Sequence, residues 1–231
     1  MSQYTQKAFD LMAMQYDELI RLWVPWYDEL IQVTANNLSC KIDSPRVLDL
    51  GCGTGNLSSA VLDCHPKAQL HVVDMSSQMV DLCKDKLAKK SDHIYCYKKK
   101  FNELSYNSSF FDSIVSQMAI HHLDDESKKE LFICIYNWLK PGGLFSYSDI
   151  FCGADRDINE NFISKWKSCS FELGASQEQW DFFMDHDRLY DKPIPLITAF
   201  DWLQQAGFTC FDVTWRQSLW SNIVAVKTEN A

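Results

Sequence analysis

From Arg46 onward, short apolar segments alternate with amphipathic ones, and this alternation most limits the folds that the chain can adopt. Short apolar runs between turn residues predict buried strands, and apolar residues three or four positions apart predict helices. Strands joined in turn by helices form a parallel sheet, so the predicted fold class is α/β with helices on both faces. The predicted strands are Arg46–Leu50, Gln69–Asp74, Ile94–Lys98, Phe111–Gln117 and Gly143–Asp149, and the predicted helices are Leu57–Cys64, Gln78–Lys89, Ser127–Leu139 and Ile197–Ala206.

Two stretches interrupt this alternation. Residues 1–44 predict a separate helical cap, because apolar residues recur at helical spacing until Pro25 divides the run into two helices. Residues 151–195 are rich in aromatic residues, and we expect them to form a helical lid inserted into the α/β domain of residues 45–231. The last two predicted strands, Cys210–Trp215 and Ile223–Lys227, are joined by a short connection and therefore predict an antiparallel hairpin at the sheet edge. The apolar face before Pro25 consists of Phe9, Met12, Tyr16, Leu19, Ile20 and Trp23.

Composition narrows the possible partners and compartments. A net charge of −9 over 231 residues argues against a general affinity for nucleic acid, which requires a basic surface. The apolar runs are shorter than the roughly 20 residues of a membrane span, and the first residues lack the pattern of a secretory signal, so we expect a cytoplasmic protein. The nine cysteines are scattered and include no CxxC pair, which predicts reduced packing residues and no metal site.

A glycine-rich turn follows the first predicted strand, in the segment VLDLGCGTGN (Val47–Asn56). Glycines between a strand and a helix let a ligand approach the main chain and direct free N–H groups towards it. Asp49 precedes the glycines, and its carboxylate repels a pyrophosphate but attracts a cation. The sulfonium and ammonium groups of S-adenosylmethionine (SAM) therefore suit this turn better than a dinucleotide does. Asp74 ends the second strand about 20 residues later, where an acid commonly holds ribose hydroxyls.

The sequence resembles the class I SAM-dependent methyltransferases over roughly Val47–Lys227. The ordered motifs that carry the resemblance are VLDLGCGTGN, VVDMSSQMV, FDSIVSQMAIHHL, LKPGGLF and QQAGF. It implies a Rossmann-like, seven-stranded, mostly parallel sheet with SAM across the carboxyl ends of the first strands. It also implies that Asp49 and the glycines contact the methionine half of SAM and that Asp74 holds the ribose. The cofactor-binding residues implied in this way are Asp49, Gly51, Gly53, Gly55, Asp74, Met75, Met79, Phe101, Asn102 and Gln117, with Met118 bordering the methionine side.

One position departs from that family's pattern. An acid usually precedes the residue that corresponds to Phe101 and accepts a hydrogen bond from the adenine amino group, but Lys100 stands here. Lysine has no acceptor, so we expect adenine to be held by the main chain of Phe101, by Asn102 or by packing.

The segment YDELIRLWVPWYDELI is similar to the N-terminal cap of a subset of the family that includes the tRNA wobble-uridine carboxymethyltransferases. In that subset a tyrosine after a proline reaches over the cofactor, which implies such a contact for Tyr27 and, after it, for Tyr16. The same enzymes bind a carboxylated SAM through an arginine shortly before AGF. Trp202 stands at that place here, and a buried carboxylate without a cation is costly, so we expect ordinary SAM.

Methyl transfer depends mainly on alignment of the acceptor with the methyl group, and a general base contributes less. His121, and after it His122, are the candidate bases in AIHHLDD, and Tyr27 is a further candidate catalytic residue; either histidine could instead cap the next helix. The aromatic lid suits a small, apolar or partly aromatic acceptor with a few polar contacts. The expected acceptor-binding residues are His186, Arg188, Trp166, Phe183 and Trp215.

Three functions fit these motifs. A small-molecule methyltransferase is the leading hypothesis. A tRNA-modifying enzyme is the second, with RNA docking on a basic cluster, although Trp202 and the acidic composition disfavour it. The third is an enzyme that binds SAM in the same way but catalyses cyclisation or elimination. The basic cluster consists of Lys84, Lys86, Lys89, Lys90 and residues 98–100.

Overall fold

The computed structural model describes residues 13–38 and 42–229, and the predicted helical positions Phe9 and Met12 lie outside them, as does Cys40. Helices and strands alternate along the described chain as the sequence predicts. The helices are α1 (Tyr16–Trp23), α2 (Tyr27–Asn36), α3 (Asn56–Cys64), α4 (Ser77–Leu87), α5 (Asp125–Trp138), α6 (Arg156–Glu172), α7 (Gln177–Tyr190) and α8 (Leu196–Ala206). The strands are β1 (Arg46–Leu50), β2 (Gln69–Asp74), β3 (Ile94–Lys98), β4 (Phe111–Gln117), β5 (Leu139–Ile150), β6 (Cys210–Gln217) and β7 (Trp220–Val226).

The strands form one seven-stranded sheet in the order β3-β2-β1-β4-β5-β7-β6. The pairs among β1 to β5 are parallel, whereas β7 runs antiparallel to both β5 and β6. The predicted α/β fold with an antiparallel hairpin at one edge is therefore confirmed. The strand order reverses beside β1, between β1 and β4, and ligands of open α/β sheets bind at such a point.

Several elements begin earlier than predicted, for local reasons. The side chain of Asp124 accepts a hydrogen bond from the Ser127 N–H at 2.9 Å, so α5 begins at Asp125 rather than at Ser127. Strand β5 begins at Leu139 rather than at Gly143, because Leu139 already pairs with Phe111 across a local irregularity of the ladder. The segment LKPGG, which separates the predicted helix from the predicted strand, is thus an irregular stretch within β5, in which Gly142 has a φ of +77°.

The core lies on both faces of the sheet. Alternate residues of β1 belong to opposite faces, so that Val47 packs on one side with Leu30 of α2, while Leu48 packs on the other with Phe132 of α5. All four of these side chains are 0% exposed. Burial on both faces explains why β1 appears in the sequence as a continuous apolar run rather than an alternating one.

Polar contacts also tie α2 to the sheet. Thr34 lies 2.5 Å from the hydroxyl of Ser148 on β5, and Asn222 on β7 donates a hydrogen bond to the Thr34 hydroxyl at 3.1 Å. These three side chains are fully buried. Helix α2 therefore packs on the sheet as part of its core, and the division into a cap of residues 1–44 and a domain of residues 45–231 stays a prediction.

Helices α6 and α7 occupy most of the segment predicted to be a lid. Trp166 of α6 is 1% exposed and packs with ring centroids 5.1 Å from Trp180 and 5.2 Å from Trp220. Its indole N–H donates a hydrogen bond to the Trp23 carbonyl oxygen of α1. The lid helices and α1 thus form one packed layer. Over residues 13–38 and 42–229, no helix is both long and apolar enough to cross a bilayer.

Candidate functional site

A cavity of about 480 Å³, here called the main cavity, opens at the carboxyl ends of β1, β2 and β4. This volume is within the usual range for sites that bind small molecules. Its walls come from the glycine turn, from the residues after β2 and β3, from the turn after β4, and from α5. The residues that matter below are Tyr16, Gly51, Gly53, Asp74, Met75, Met79, Lys99, Lys100, Phe101, Asn102, Gln117, Met118, Ala119 and His122.

The three glycines of the turn serve different purposes. Gly51 has a φ of +77°, and a Cβ atom there would lie 2.2 Å from the Cβ of Ala119, so no larger residue fits. Gly53, with a φ of +50°, faces open space within the main cavity. A Cβ on Gly55 would lie 2.8 Å from the sulfur of Cys83, so this glycine allows α3 to pack closely on α4 and does not line the cavity.

Asp49 lies directly beneath the turn and is 0% exposed. The Ser58 hydroxyl donates a hydrogen bond to its Oδ2 at 2.5 Å, whereas its Oδ1 accepts none from the described residues. Burial and, after it, the Asp74 carboxylate raise the Asp49 pKa, and the Ser58 hydrogen bond offsets this only in part, leaving the pKa at about 7. A cation in the cavity would favour the ionised form.

The carboxylate of Asp74 closes the turn from the end of β2. It accepts hydrogen bonds from the main-chain N–H of Gly53 at 3.0 Å and of Ser76 at 2.9 Å. Met75 and Met79, which follow on the same segment, line the main cavity as the sequence predicts. The first turn of α4 therefore brings one carboxylate and two apolar side chains to the same wall.

The residues after β3 form the opposite wall. Lys100, Phe101 and Asn102 all line the main cavity. The main-chain N–H of Lys100 donates a hydrogen bond to the carboxylate of Glu103 at 2.9 Å, which starts a short 3₁₀ turn. Lys100 thus lies in the cavity wall at the position where the family pattern led us to expect an acid.

The floor of the cavity is formed at the end of β4. Gln117 is 8% exposed, and its Nε2 donates a hydrogen bond to the Tyr27 carbonyl oxygen at 3.3 Å, while its Oε1 accepts none from the described residues. Met118 has a left-handed backbone, with a φ of +52°, which is uncommon for a residue with a side chain. This conformation turns the chain so that Ala119 faces Gly51 and His122 reaches the cavity.

The two candidate tyrosines have different environments. Tyr16 of α1 lines the main cavity, as the resemblance implies. Tyr27 is 6% exposed, lies outside the cavity lining, and accepts a hydrogen bond from the Asn56 side chain at 3.2 Å. Burial raises the pKa of the Tyr27 hydroxyl. It contributes to the floor through its main-chain contact with Gln117, and a direct contact with the cofactor stays a prediction.

His121 and His122 form a 3₁₀ turn with Ile120 after β4. His121 is 4% exposed, its Nδ1 is hydrogen-bonded to the Asp149 carboxylate, and its backbone N–H donates to the same carboxylate at 3.0 Å. Burial lowers the His121 pKa, but the carboxylates of Asp149 and Asp191 outweigh burial and raise it to about 9. Burial and the neighbouring His121 lower the His122 pKa to about 4, so His122 is neutral near pH 7. Of the two, His122 lines the main cavity.

A second, much smaller cavity of about 30 Å³, here called the histidine pocket, adjoins the main one and shares Tyr16, Met118 and His122 with it. It contains two of the predicted acceptor-binding residues, His186 and Phe183. Its aromatic wall joins α1 to α7, because the Trp23 ring lies 4.9 Å from that of Phe183. The full lining is Tyr16, Ile20, Trp23, Met118, His121, His122, Phe182, Phe183, His186 and Asp191.

The other predicted acceptor-binding residues lie elsewhere. Trp166 packs in the lid as described above. The Arg188 side chain is 71% exposed and lies 3.6 Å from the Asp185 carboxylate. Trp215 is half-buried on the edge strand β6, opposite Asn222. The structure does not bring these three residues to either cavity.

Sequence reasoning missed Asp149 and Asp191, the two acids beside the histidines. Asp149 stands near the carboxyl end of a predicted strand, and its position could have been noticed because such ends converge in parallel sheets. Asp191 follows α7, and its sequence surroundings carry no comparable signal. Trp202, which stands where the resemblance would place an arginine, belongs to the opposite core with the Lys129 ammonium 5.2 Å from its ring centre.

Comparison with known proteins agrees with this geometry. The signature of the family described as "Methyltransferase domain" matches residues 47–143. A carboxy-S-adenosyl-L-methionine synthase of Campylobacter lari is 23% identical over 174 residues, 74% of this chain and 74% of the relative. A malonyl-[acyl-carrier protein] O-methyltransferase of Halalkalibacterium halodurans is 25% identical over 163 residues, 69% of this chain and 59% of the relative. The chain contains a class I SAM-dependent methyltransferase domain.

The methyltransferase fold extends over nearly the whole chain. The structure of a Haemonchus contortus phosphoethanolamine N-methyltransferase 2, in complex with phosphomonomethylethanolamine and S-adenosylhomocysteine, superposes with a TM-score of 0.67 at 18% identity. The superposition covers 95% of this chain and 58% of that one, so the chain spans about three fifths of that protein's length. At this identity the likeness concerns the fold.

The main cavity of the methyltransferase domain fits its cofactor, SAM. Gly51 leaves bare main chain at the cavity wall. Asp49, two residues earlier, is not among the lining residues, and its buried Oδ1 accepts no hydrogen bond from the described residues. Two carboxylates near a glycine turn favour a cationic ligand over a pyrophosphate. The cavity therefore has the shape and charge that the sequence predicted for this ligand.

Proposed function

We propose that the enzyme transfers a methyl group from SAM to a small, apolar or partly aromatic acceptor held between α1 and the lid. The observation that carries the proposal is the junction of the main cavity with the histidine pocket at Tyr16, Met118 and His122. At about 30 Å³ the pocket admits only a small group of the acceptor, whose remainder would lie in the main cavity. An acceptor seated there would face the cofactor cavity from the side of β4.

In this proposal, Asp49, Gly51 and Gly53 hold the methionine half of SAM, and Asp74 holds the ribose hydroxyls. Gly55 supports the turn through its packing on Cys83. Met75, Met79, Phe101 and Asn102 enclose the adenine. When bound, SAM supplies a methyl group on a sulfonium, which is an excellent leaving group.

The contribution of the chain is mainly to orient the acceptor. Trp23, Phe182 and Phe183 form the apolar side of the pocket, and His122 and His186 provide polar contacts. His122 lines both cavities, whereas His121 lines only the histidine pocket of the two, so His122 is better placed to contact an acceptor beside the cofactor. His121 is held by Asp149 and acts as a positioning residue for the turn. Alignment supplies most of the expected acceleration, on the order of 7–11 kcal/mol.

The structure offers little support for an RNA acceptor. Two lysines of the basic cluster are paired with acids, since the Lys86 ammonium lies 3.0 Å from Asp17 and that of Lys90 lies 2.6 Å from Asp63. Such pairing reduces the positive charge available to phosphates.

A second candidate is suggested by the synthase from C. lari, whose name describes formation of carboxy-SAM. The described lining of the main cavity includes Lys99 and Lys100 but no arginine that could pair with an added carboxylate. Both lysines lie on the side proposed for adenine. The methyl-transfer proposal is therefore favoured.

Analysis of the products separates these functions. The purified enzyme is incubated with SAM and a panel of small phenols, amines and carboxylic acids, and the nucleoside products are identified by mass spectrometry. S-adenosylhomocysteine that accumulates with one class of acceptor supports methyl transfer. Carboxy-SAM, or methylthioadenosine formed by attack at the other carbon, would contradict it. The Asp49→Asn variant provides the control for products that do not arise in the main cavity.

A further inference from the structure

Three of the six histidines in the chain converge on one carboxylate oxygen in the histidine pocket. The Oδ1 of Asp191 lies 2.8 Å from the His122 Nδ1, 3.5 Å from the His121 Nε2 and 3.9 Å from the His186 Nε2. These residues come from two places in the chain, the turn after β4 and the end of α7. Because the ligands are so far apart in sequence, no spacing motif could have revealed them.

We propose that His121, His122, His186 and Asp191 form a binding site for a divalent transition metal of the zinc type. In a tetrahedral site with bonds of about 2.0–2.2 Å, ligand atoms lie roughly 3.3–3.6 Å apart. The distances from the Asp191 Oδ1 to the three histidine nitrogens, 2.8, 3.5 and 3.9 Å, lie below, within and above this range. The ligand atoms of His121, His122 and Asp191 all lie within 4.8 Å of one another, and a side-chain shift of His186, whose Nε2 is 3.9 Å from Asp191, would complete the set.

The surroundings of the cluster resemble those of a metal centre. Asp149 holds the His121 ring through Nδ1 and leaves Nε2 directed towards Asp191, an arrangement in which an outer carboxylate orients a histidine ligand. The main-chain N–H of Lys192 donates a hydrogen bond to the His121 carbonyl oxygen at 2.9 Å and fixes Asp191 beside the turn. The exposed fractions of the ligand side chains are 4% for His121 and His122, 5% for Asp191 and 13% for His186.

Charge also favours a dication. Two buried carboxylates, Asp149 and Asp191, lie beside His121, and a dication bound among these side chains would offset their charge. Buried charges in proteins are paired or coordinate metals. Imidazole nitrogens select zinc, nickel or iron over magnesium, which prefers oxygen ligands.

The site would lie on the wall that separates the main cavity from the acceptor. A metal held there could bind an oxygen or nitrogen atom of the acceptor and orient it towards the cofactor. This role rests on the proposed function, whereas the binding of the metal does not. The inference therefore narrows the acceptor to molecules with a metal-binding hydroxyl, carboxylate or amine.

Histidine NMR tests the site without any activity measurement. Protein labelled with ¹⁵N is treated with a chelator, and one equivalent of Zn²⁺ is then added while the ring nitrogens are observed. We expect three histidines to acquire the signature of metal-bound nitrogens and the other three, His65, His71 and His93, to remain unchanged. Mg²⁺ should produce no such change. The proposal is wrong if added Zn²⁺ leaves all the histidine ring signals unchanged, as it would if the cysteines bound the metal instead.

Variants locate the metal. His186→Asn removes the most accessible ligand, and His93→Asn is the matched control because His93 is exposed and remote from the cluster. We expect Zn²⁺ affinity to fall at least about tenfold in His186→Asn, about 10- to 100-fold in Asp149→Asn, and not at all in the control. Equal affinity in all three would overturn the proposal. SAM affinity is measured in parallel, so that failure of the metal site can be distinguished from failure of the cofactor site.

Discussion

The carboxylate of Asp74 accepts a hydrogen bond from the main-chain N–H of Gly53 at 3.0 Å, across 21 positions of sequence. The acid that ends β2 therefore holds the glycine turn that follows β1. Shape and charge at the main cavity depend on the same contact, because both residues line it.

Replacement of Asp74 tests this dual role. Asp74→Ala should lower SAM affinity by roughly 10- to 100-fold, since hydrogen bonds to a charged group contribute about 1.5–3 kcal/mol. Isothermal titration calorimetry measures the change. Asp81→Ala, on the exposed face of α4, is the control and should bind SAM like the unchanged protein. Unaltered affinity in Asp74→Ala would remove the residue from the proposed site.

Asp49 predicts a dependence of cofactor binding on pH. Its pKa in the folded protein without SAM is about 7, above the ordinary value near 3.9. Protonation removes the charge that the SAM ammonium would meet, so affinity should fall about fivefold between about pH 7 and about pH 6. Asp49→Asn should bind SAM weakly at every pH.

The same pKa predicts the opposite trend for stability without ligand. A raised carboxyl pKa favours the folded state below the unfolded value, and this contribution is lost as the pH rises through about 7. Thermal unfolding should therefore show Asp49→Asn to be more stable than the unchanged protein above about pH 7.

Adenosine is the control for the pH dependence of SAM binding. Because it lacks the methionine part, its affinity should not depend on pH, and a dependence equal to that of SAM would contradict the role assigned to Asp49.

Gly51 and Gly53 form a matched pair for the turn. Gly51→Ala places a Cβ atom 2.2 Å from that of Ala119, and it should lower the free energy of unfolding by several kcal/mol and abolish SAM binding. Gly53→Ala meets no neighbour, so its cost should be limited to the left-handed backbone, about 1–2 kcal/mol. Urea denaturation compares the two. Equal losses would show that backbone conformation, not close approach, determines the requirement for glycine.

Replacement of Lys100 is expected to raise SAM affinity rather than lower it. Lys100→Asp supplies the acceptor that the adenine amino group lacks here, and SAM affinity should rise about 3- to 10-fold. Lys99→Asp is the control, because it makes the same charge change at a neighbouring position of the cavity wall. Calorimetry on both variants separates a specific contact from a general effect of charge, which would raise affinity equally in each.

Replacement of Trp166 tests whether this residue stabilises the fold or binds the acceptor. Trp166→Phe removes the indole donor that meets the Trp23 carbonyl oxygen, and it should lower the free energy of unfolding by about 1–3 kcal/mol. SAM affinity and the KM for an acceptor should not change, because Trp166 lines neither cavity. Trp202→Phe, at a half-buried position, should have a smaller effect on stability. A raised KM in Trp166→Phe would restore the residue to the acceptor site.

The sequence predicted those parts of the site that local chemistry determines. Asp49, Gly51 and Gly53 follow directly from a buried strand and a turn with positive φ angles, and Asp74 from the end of the next strand. These features need only neighbouring residues and the register of a parallel sheet. Of these residues, the structure places Gly51, Gly53 and Asp74 in the lining of the main cavity.

The acceptor side was predicted less well, because it depends on how the lid packs. Phe183 and Trp166 both belong to aromatic helices, yet one faces a pocket and the other is buried between α1 and β7. Helical spacing identifies an apolar face but not the partner that covers it. The convergence of Asp191 on the histidines has the same origin, since it requires the end of α7 to reach the turn after β4.

The buried contact between Thr34 and Asn222 spans 188 positions. During synthesis on the ribosome, α2 emerges long before the strand that completes its polar partnership. Before β5 and β7 are made, the only partners of the Thr34 hydroxyl are water and the Leu30 carbonyl oxygen, and Ser148 of β5 joins them before Asn222 does. The polar contacts beneath α2 are therefore complete only once β7 has been made.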